Sequence, residues 1–342
     1  MEQTTISIII APHGKSPIAP DCLAAARKSA GEDAEIILVG DFSPREAAAA
    51  RAKTVHPVTN ASSAAARNLG ASAAQGDILL FLDSDIILAE DAVPKILAAF
   101  RDTPCGALAG TYERPALKTP LFSQYQDLFT IWHHAASAGD GGKIDWFWTS
   151  IGAVRKEFFD QVGGFRENSK AEDIEFGFDL SGRGAKIIMR TDALGRHRHR
   201  RTVGAYIASV FREAAALTDL HLHKNRHFGL RTPYGGWRNI VTLPNSYFMF
   251  ITLLIGTFVP SLWWFNGVSA GAALIHSFVI NRRLYAYITA GRPFFFRGFL
   301  FGAFVFYNHV GTNLIVGAAI ACGFFRYLFR RAAGALSKRL HD

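Results

Sequence analysis

Gly76-Asp77-Ile78-Leu79-Leu80-Phe81-Leu82-Asp83-Ser84-Asp85 carries an apolar run straight into two carboxylates set one residue apart. An unbroken run of that length suits a strand buried on both faces of a parallel sheet. Carboxylates at its exit lie where open α/β sheets take up ligands. In extended chain, residues two apart point the same way, so Asp83 and Asp85 are expected to share one hard cation whose shell is completed by ligand oxygens and water. Asp-x-Asp alone also describes a solvated turn, or a helix N-cap ahead of Glu90 and Asp91, so its meaning depends on what surrounds it.

Upstream, residues 7–10 and 36–39 are strand-like, and the Ala-rich stretch 21–29 between them has helical character. A second Ala-rich helix is expected over 61–74, before the strand at 78–82, and another over 91–100 after it. This alternation predicts an α/β fold with a mostly parallel sheet covered on both faces. Past Thr111 the pattern loosens into aromatic-rich segments, and 187–189 reads as a late strand. No internal repeat is visible.

The 342 residues suffice for one α/β domain of ordinary size and something smaller. From residue 240 onward the chain turns apolar and Phe-rich, which accounts for a mean hydropathy of +0.13. Residues 240–280 are too long for one span and are expected to break near Pro260 and Asn266-Gly267 into a helical hairpin. Residues 294–325, interrupted by Arg297 and Asn308-His309, fit either one long span or a re-entrant piece. The net charge of +9 gathers beside these apolar stretches, at Arg231, Arg238, Arg282, Arg283, Arg326, Arg330 and Arg331. That placement favours a cytosolic membrane face over nucleic acid. The expected organisation is a cytosolic domain over 1–230, ending in an amphipathic, interfacial region 202–230. A membrane region of two to three helices over 238–331 and a basic tail over 332–342 follow. No N-terminal signal is recognised, so the expected location is a bacterial-type inner membrane, multi-pass, with the first domain cytosolic. Cys22, Cys105 and Cys322 lack ligand spacing and read as packing residues.

Several segments in fixed order resemble family 2 glycosyltransferases of the GT-A fold. They are Ser7-Ile8-Ile9-Ile10-Ala11-Pro12, Leu38-Val39-Gly40-Asp41-Phe42-Ser43, Ala66-Arg67-Asn68-Leu69-Gly70, Asp83-Ser84-Asp85, Val162-Gly163-Gly164-Phe165 and Glu172-Asp173. The resemblance covers about residues 5–201. It implies a nucleotide-sugar donor, a UDP-sugar by preference, with Asp41 holding the base and Arg67 and Asn68 facing the nucleotide. Pro12, Ser84 and Glu172 would also lie beside the donor. Trp148 and Gly152, with Trp146, Thr149 and Ser150, would floor the sugar pocket. Asp83, Asp85 and either His197 or His199, from the run Arg196-His197-Arg198-His199-Arg200-Arg201, would hold Mn2+ or Mg2+.

Asp173 is the expected general base. A hydroxyl is a poor nucleophile until a carboxylate takes its proton, and one base with no covalent carboxylate gives a single displacement that inverts the anomeric centre. The apolar tail points to a lipid-associated acceptor. A polyprenyl phosphate, which attacks already ionised and needs no base, is the alternative acceptor. A non-catalytic membrane scaffold is a remoter one.

Overall fold

The structure is a computed structural model. It describes residues 4–11, 20–32, 34–40, 48, 51–56, 61–116, 119, 121–169, 171–198, 203–223, 247–248, 251–252, 254–255, 258–259, 261, 263–291 and 297–339. Pro12, Asp41, His199 and most of the expected first half of the helical hairpin lie outside the described residues. The chain divides into two compact units, residues 1–118 with 133–200, and residues 119–132 with 201–342.

The first unit is built on a mixed sheet. Among the described residues its path is β3 (Lys53–Val55), β2 (Glu35–Val39), β1 (Ile6–Ala11), β4 (Ile78–Asp83), β8 (Ile151–Arg155), β6 (Ala107–Tyr112), β9 (Ile187–His197) and β5 (Ile86–Leu88). A short β7 (Lys143–Ile144) pairs with β9. The half from β3 to β4 is entirely parallel, as the apolar runs predict, whereas β8 lies antiparallel to both β4 and β6. All six residues of β1 are buried, and so is β4 up to Leu82, which is what a strand covered on both faces requires.

Helices α1 (Pro20–Ala30), α2 (Ser63–Ala73) and α3 (Ala92–Asp102) fall where the sequence places them. Ser62 caps α2 by accepting from the Ala65 N–H at 3.2 Å. Helix α4 (Leu121–Ala138) follows β6, and α5 (Lys156–Val162) and α6 (Glu172–Gly182) precede β9. Phe81, Phe147, Phe159, Phe165 and Phe176 form an aromatic core, with Phe81 and Phe165 rings 4.9 Å apart and Phe165 and Phe176 4.5 Å apart. Edge-on and tilted ring pairs of this kind add about 1 kcal/mol each beyond simple burial.

Strands β1, β2 and β3 step outward in one direction, and α2 then carries the chain back to β4 on the other side of β1. The strand order reverses there, and it is beyond the carboxyl ends of strands at such a switch point that open α/β sheets take up ligands. Ala11 pairs with Asp83 at that edge.

The second unit contains the first part of α4 together with α7 (Val203–His223), α8 (Trp263–Thr289) and α9 (Arg297–Arg339). Tyr125 and Leu128 pack against Leu284, Tyr285 and Ile288 of α8 and Phe301 and Val305 of α9. Helices α7 and α9 come close at Gly323, where a Cβ would meet the Ala215 carbonyl at 2.8 Å, and Arg330 pairs with Asp219 at 2.7 Å.

The second unit bears on two of the readings of the apolar tail. Helix α8 runs unbroken through Asn266-Gly267, so the break expected there is corrected, since a glycine costs a helix only about 1 kcal/mol and the surrounding turns absorb it; Pro260 lies outside the described residues. Helix α9 continues through Asn308-His309 to Arg339, so of the two readings left open for 294–325 the single long helix is the one seen among the described residues. The multi-pass arrangement is not supported. Among the described residues one segment, Asn313–Arg330, is long and apolar enough to cross a membrane. Helix α8 nevertheless exposes Trp263, Trp264, Val268, Ile275 and Phe278, and α9 exposes Phe325 and Phe329.

Candidate active site

The site grows from the end of β4. Asp83 is the last residue of the strand, and the chain then turns at Ser84 and Asp85 before entering β5. The alternation argument therefore fails beyond Asp83, and the two carboxylates take different partners. One Asp83 oxygen accepts from the Arg67 guanidinium at 3.0 Å and the other from the Ser150 hydroxyl at 2.6 Å. Ser150 is delivered by register: β8 runs antiparallel to β4 with Ile151 opposite Leu82, which sets Ser150 beside Asp83. Ser84 is buried.

Asp85, half-exposed, meets the buried ring of His197, with Oδ2 and Nε2 3.1 Å apart. Antiparallel pairing of β5 with β9 makes this contact, because Ile86 stands opposite His197 and the Arg198 N–H donates to the Asp85 carbonyl at 3.0 Å. The ring of Tyr112 stacks on His197 at 5.0 Å and 7° and so fixes its plane. Tyr112 also meets Trp148 edge-on at 4.8 Å, and Trp148 meets His134 at 4.4 Å. His134 is buried with Nδ1 3.0 Å from the Thr111 hydroxyl, and desolvation pushes its pKa down to about 3, so its ring is neutral. Gly152 lies beneath this wall, and a Cβ there would strike the Trp148 carbonyl and the Phe147 ring. A larger residue would displace Trp148.

Helix α2 presents two neighbouring residues to different parts of the site. Arg67, buried, donates through Nη2 to Asp83 and through Nη1 to Glu172, each at 3.0 Å. Burial alone would lower its pKa, but the charges of Asp83, Glu172 and Asp173 outweigh that and hold the guanidinium firmly protonated. Asn68 donates to the Phe165 carbonyl and accepts from the Phe165 N–H, both at 2.8 Å. It therefore anchors the turn in which Gly163 and Gly164 adopt positive φ of 86° and 79°. The expected nucleotide-facing role of Asn68 draws no support from this geometry.

Asp173 sits in the first turn of α6, partly buried, and one carboxylate oxygen accepts from the Ile174 N–H at 2.8 Å. A helix N-terminus favours the ionised form by about 1 kcal/mol, yet its pKa rises to about 7. Desolvation is the main cause, the adjacent Glu172 charge adds to it, and Arg67 opposes it. The group can thus exchange a proton near neutral pH. Cys22 is fully buried beside the turn between β4 and β5, and desolvation followed by the charges of Asp85 and Asp83 raises its thiol to about 12, which keeps it inert.

Among the described residues no three His, Cys, Asp or Glu side chains converge on one point. The donor set that does form is a pair, Asp85 with His197. Sequence reasoning missed Ser150 as the partner of Asp83, and missed Tyr112 and His134 altogether. None carries a local motif, and only strand pairing brings them in.

The profile of Glycosyl transferase family 2 matches residues 7–163, a span that includes β1, β4 and their turn. Those residues are a family 2 glycosyltransferase domain. The transferase fold is also seen in a solved structure, the mannosyltransferase PcManGT from Pyrobaculum calidifontis in complex with GDP-Man and Mn2+. It is 15% identical, with a TM-score of 0.57 over 96% of this chain and 88% of that one. TarS of S. aureus is 16% identical over 66% of this chain and 44% of its own, with a TM-score of 0.44. No curated protein sequence matches the transferase. The α/β sheet with its switch point and the family match over residues 7–163 together make this a nucleotide-sugar glycosyltransferase.

Proposed function

We propose that the protein is an inverting, metal-dependent glycosyltransferase that moves a sugar from a nucleotide donor to a hydroxyl of a lipid-associated acceptor at the cytosolic membrane face. The observation that carries the chemistry is the meeting of Asp83 and Glu172 around Arg67, which sets Asp173, next to Glu172 in the chain, near the end of β4. A carboxylate able to take a proton near pH 7 lies beside the strand end where the donor is expected. Asp173 takes the proton of the attacking hydroxyl as the new glycosidic bond forms and the bond to the nucleoside diphosphate breaks, which inverts the anomeric centre.

Asp85 and His197 fit a divalent cation as one carboxylate and one imidazole, a donor set that suits Mn2+ better than the strictly oxygen-seeking Mg2+. Donor phosphates and water would supply the remaining positions. When bound, such a cation neutralises the charge that develops on the departing diphosphate. Asp83, engaged by Arg67 and Ser150, is not needed as a ligand. Trp148 offers an aromatic face to the sugar. The expected donor is a UDP-sugar. GDP-mannose, the ligand of the Pyrobaculum calidifontis structure, belongs in the same donor panel.

The exposed apolar residues of α8 and α9 and the segment Asn313–Arg330 support the membrane half of the reading. Two experiments test it. Asp173→Asn should abolish transfer while donor binding persists, whereas near-normal turnover would indicate an acceptor that arrives ionised, as a polyprenyl phosphate does. Mass spectrometry of membrane lipids from cells with and without the enzyme should show one glycosylated lipid lost. An unchanged lipid profile would refute the lipid acceptor.

A further inference from the structure

Helix α2 touches the segment between α5 and α6 at both of its ends. Asn68 binds the backbone of Phe165 just after α5, and Arg67, its neighbour in sequence, binds Glu172 at the first turn of α6. The other arm of Arg67 reaches Asp83, whose second oxygen is fixed by Ser150. One buried guanidinium therefore ties the end of β4 to the start of α6. The two carboxylates it joins lie 16 and 105 residues away in the chain.

Gly164 completes the anchor. Its φ of 79° is one that L side chains rarely adopt, and a Cβ there would come within 2.7 Å of Asn68 Oδ1. The turn thus fits closely against Asn68. Asp173 follows Glu172 directly, so fixing Glu172 fixes the stretch of backbone from which Asp173 projects, and the Ile174 N–H then orients its carboxylate. Both hydrogen bonds of Arg67 use terminal nitrogens on carboxylates, and its side chain is 7% exposed. Little of it is left for an incoming nucleotide.

We propose that Arg67 and Asn68 form a clamp that positions Asp173 against the end of β4, and that their role is placement of the base and not recognition of the nucleotide. The inference rests on the reading of Asp173 as base. The groups facing Asp173 are Glu172, Arg67 and Asp83. Glu172 raises its proton affinity and Arg67 lowers it, so the clamp also sets the pH at which the base becomes available.

The test measures two quantities on the full chain: equilibrium binding of UDP and GDP in the presence of MnCl2, and the turnover number for nucleoside diphosphate release across a nucleotide-sugar panel, followed from pH 5 to 9. Arg67→Lys keeps the charge, but a single ammonium cannot bridge two carboxylates in the same way. The expected result is a turnover lower by about ten- to a hundredfold, with nucleotide affinity within about threefold of wild type. Glu172→Gln leaves an acceptor for Arg67 and removes one charge, so the acid limb of the turnover profile should move to lower pH. Should Arg67→Lys fail to fold, as judged by circular dichroism, the less buried Glu172→Gln decides the question alone.

Nucleotide affinity lost tenfold or more at unchanged turnover would overturn the clamp and make Arg67 a nucleotide contact. Wild-type turnover and an unmoved acid limb would overturn it equally. Asp173→Asn separates the two levels. If that variant stays active, the base reading itself fails; if it is inactive while Arg67→Lys and Glu172→Gln behave as wild type, only the clamp fails.

Discussion

A base held ready at neutral pH should cost the fold stability, and Asp173→Asn measures that cost. The Asp173 pKa rises from 3.8 to about 7 on folding, because burial disfavours the carboxylate and Glu172 lies beside it. In the unfolded chain the group ionises near pH 4. In the native protein it stays protonated until pH approaches 7. A raised acid pKa means that the native state binds more protons than the unfolded state between those limits. Stability is therefore lost as pH climbs from about 4 to about 7 and levels off above.

Each tenfold change in proton affinity is worth about 1.4 kcal/mol, so the full penalty above pH 7 has an upper bound of about 4 kcal/mol. Asp173 keeps some contact with solvent, and about half of that bound is the working figure. Asparagine is close in shape and never ionises, so Asp173→Asn should match the wild type near pH 4 and be the more stable protein at pH 8, by about 2 kcal/mol. That corresponds to a few degrees in Tm for a chain of this size. Thermal unfolding of both proteins at half-unit intervals from pH 4 to 9 checks it. A Tm difference that stays flat with pH, or that favours the wild type at pH 8, would refute the electrostatic account of Asp173.

Two further predictions concern the surroundings of the site. Asp85→Ala and His197→Ala should each raise the Mn2+ concentration needed for half-maximal donor hydrolysis by at least about tenfold, read from metal titrations of the chelator-treated enzyme; an unchanged requirement would remove the pair from the metal site. Gly164→Ala meets both an unfavourable φ and the Asn68 amide. It should destabilise the protein by about 2 kcal/mol and slow turnover, measured by thermal unfolding and diphosphate release.

The parallel half of the sheet was legible because its evidence is local. The all-apolar stretches of β1 and β4 and the Ala-rich α2 announce themselves in a few residues. The same locality misled at Asp83 and Asp85. Strand alternation predicts a shared cation, but the turn at Ser84 sends one carboxylate to Arg67 and the other to His197. That His197 meets Asp85 follows from a register nothing in the sequence displays, that of β5 against β9, while His199 lies outside the described residues. Ser150, Tyr112 and His134 were hidden for the same reason, since each joins the site through pairing with a distant strand or ring. In α8 the Asn266-Gly267 step looked like a break because local propensity favours one, and a cost of about 1 kcal/mol is small against helix packing.

The central claim is that Asp173 is the proton acceptor of a metal-dependent sugar transfer. Its most direct test is nucleoside diphosphate release by the wild type and by Asp173→Asn across UDP- and GDP-sugars with Mn2+, with UDP and GDP binding measured on the same samples. The account predicts that the variant loses at least about a hundredfold in turnover and binds the nucleotides as the wild type does. Turnover within a few-fold of wild type would contradict it.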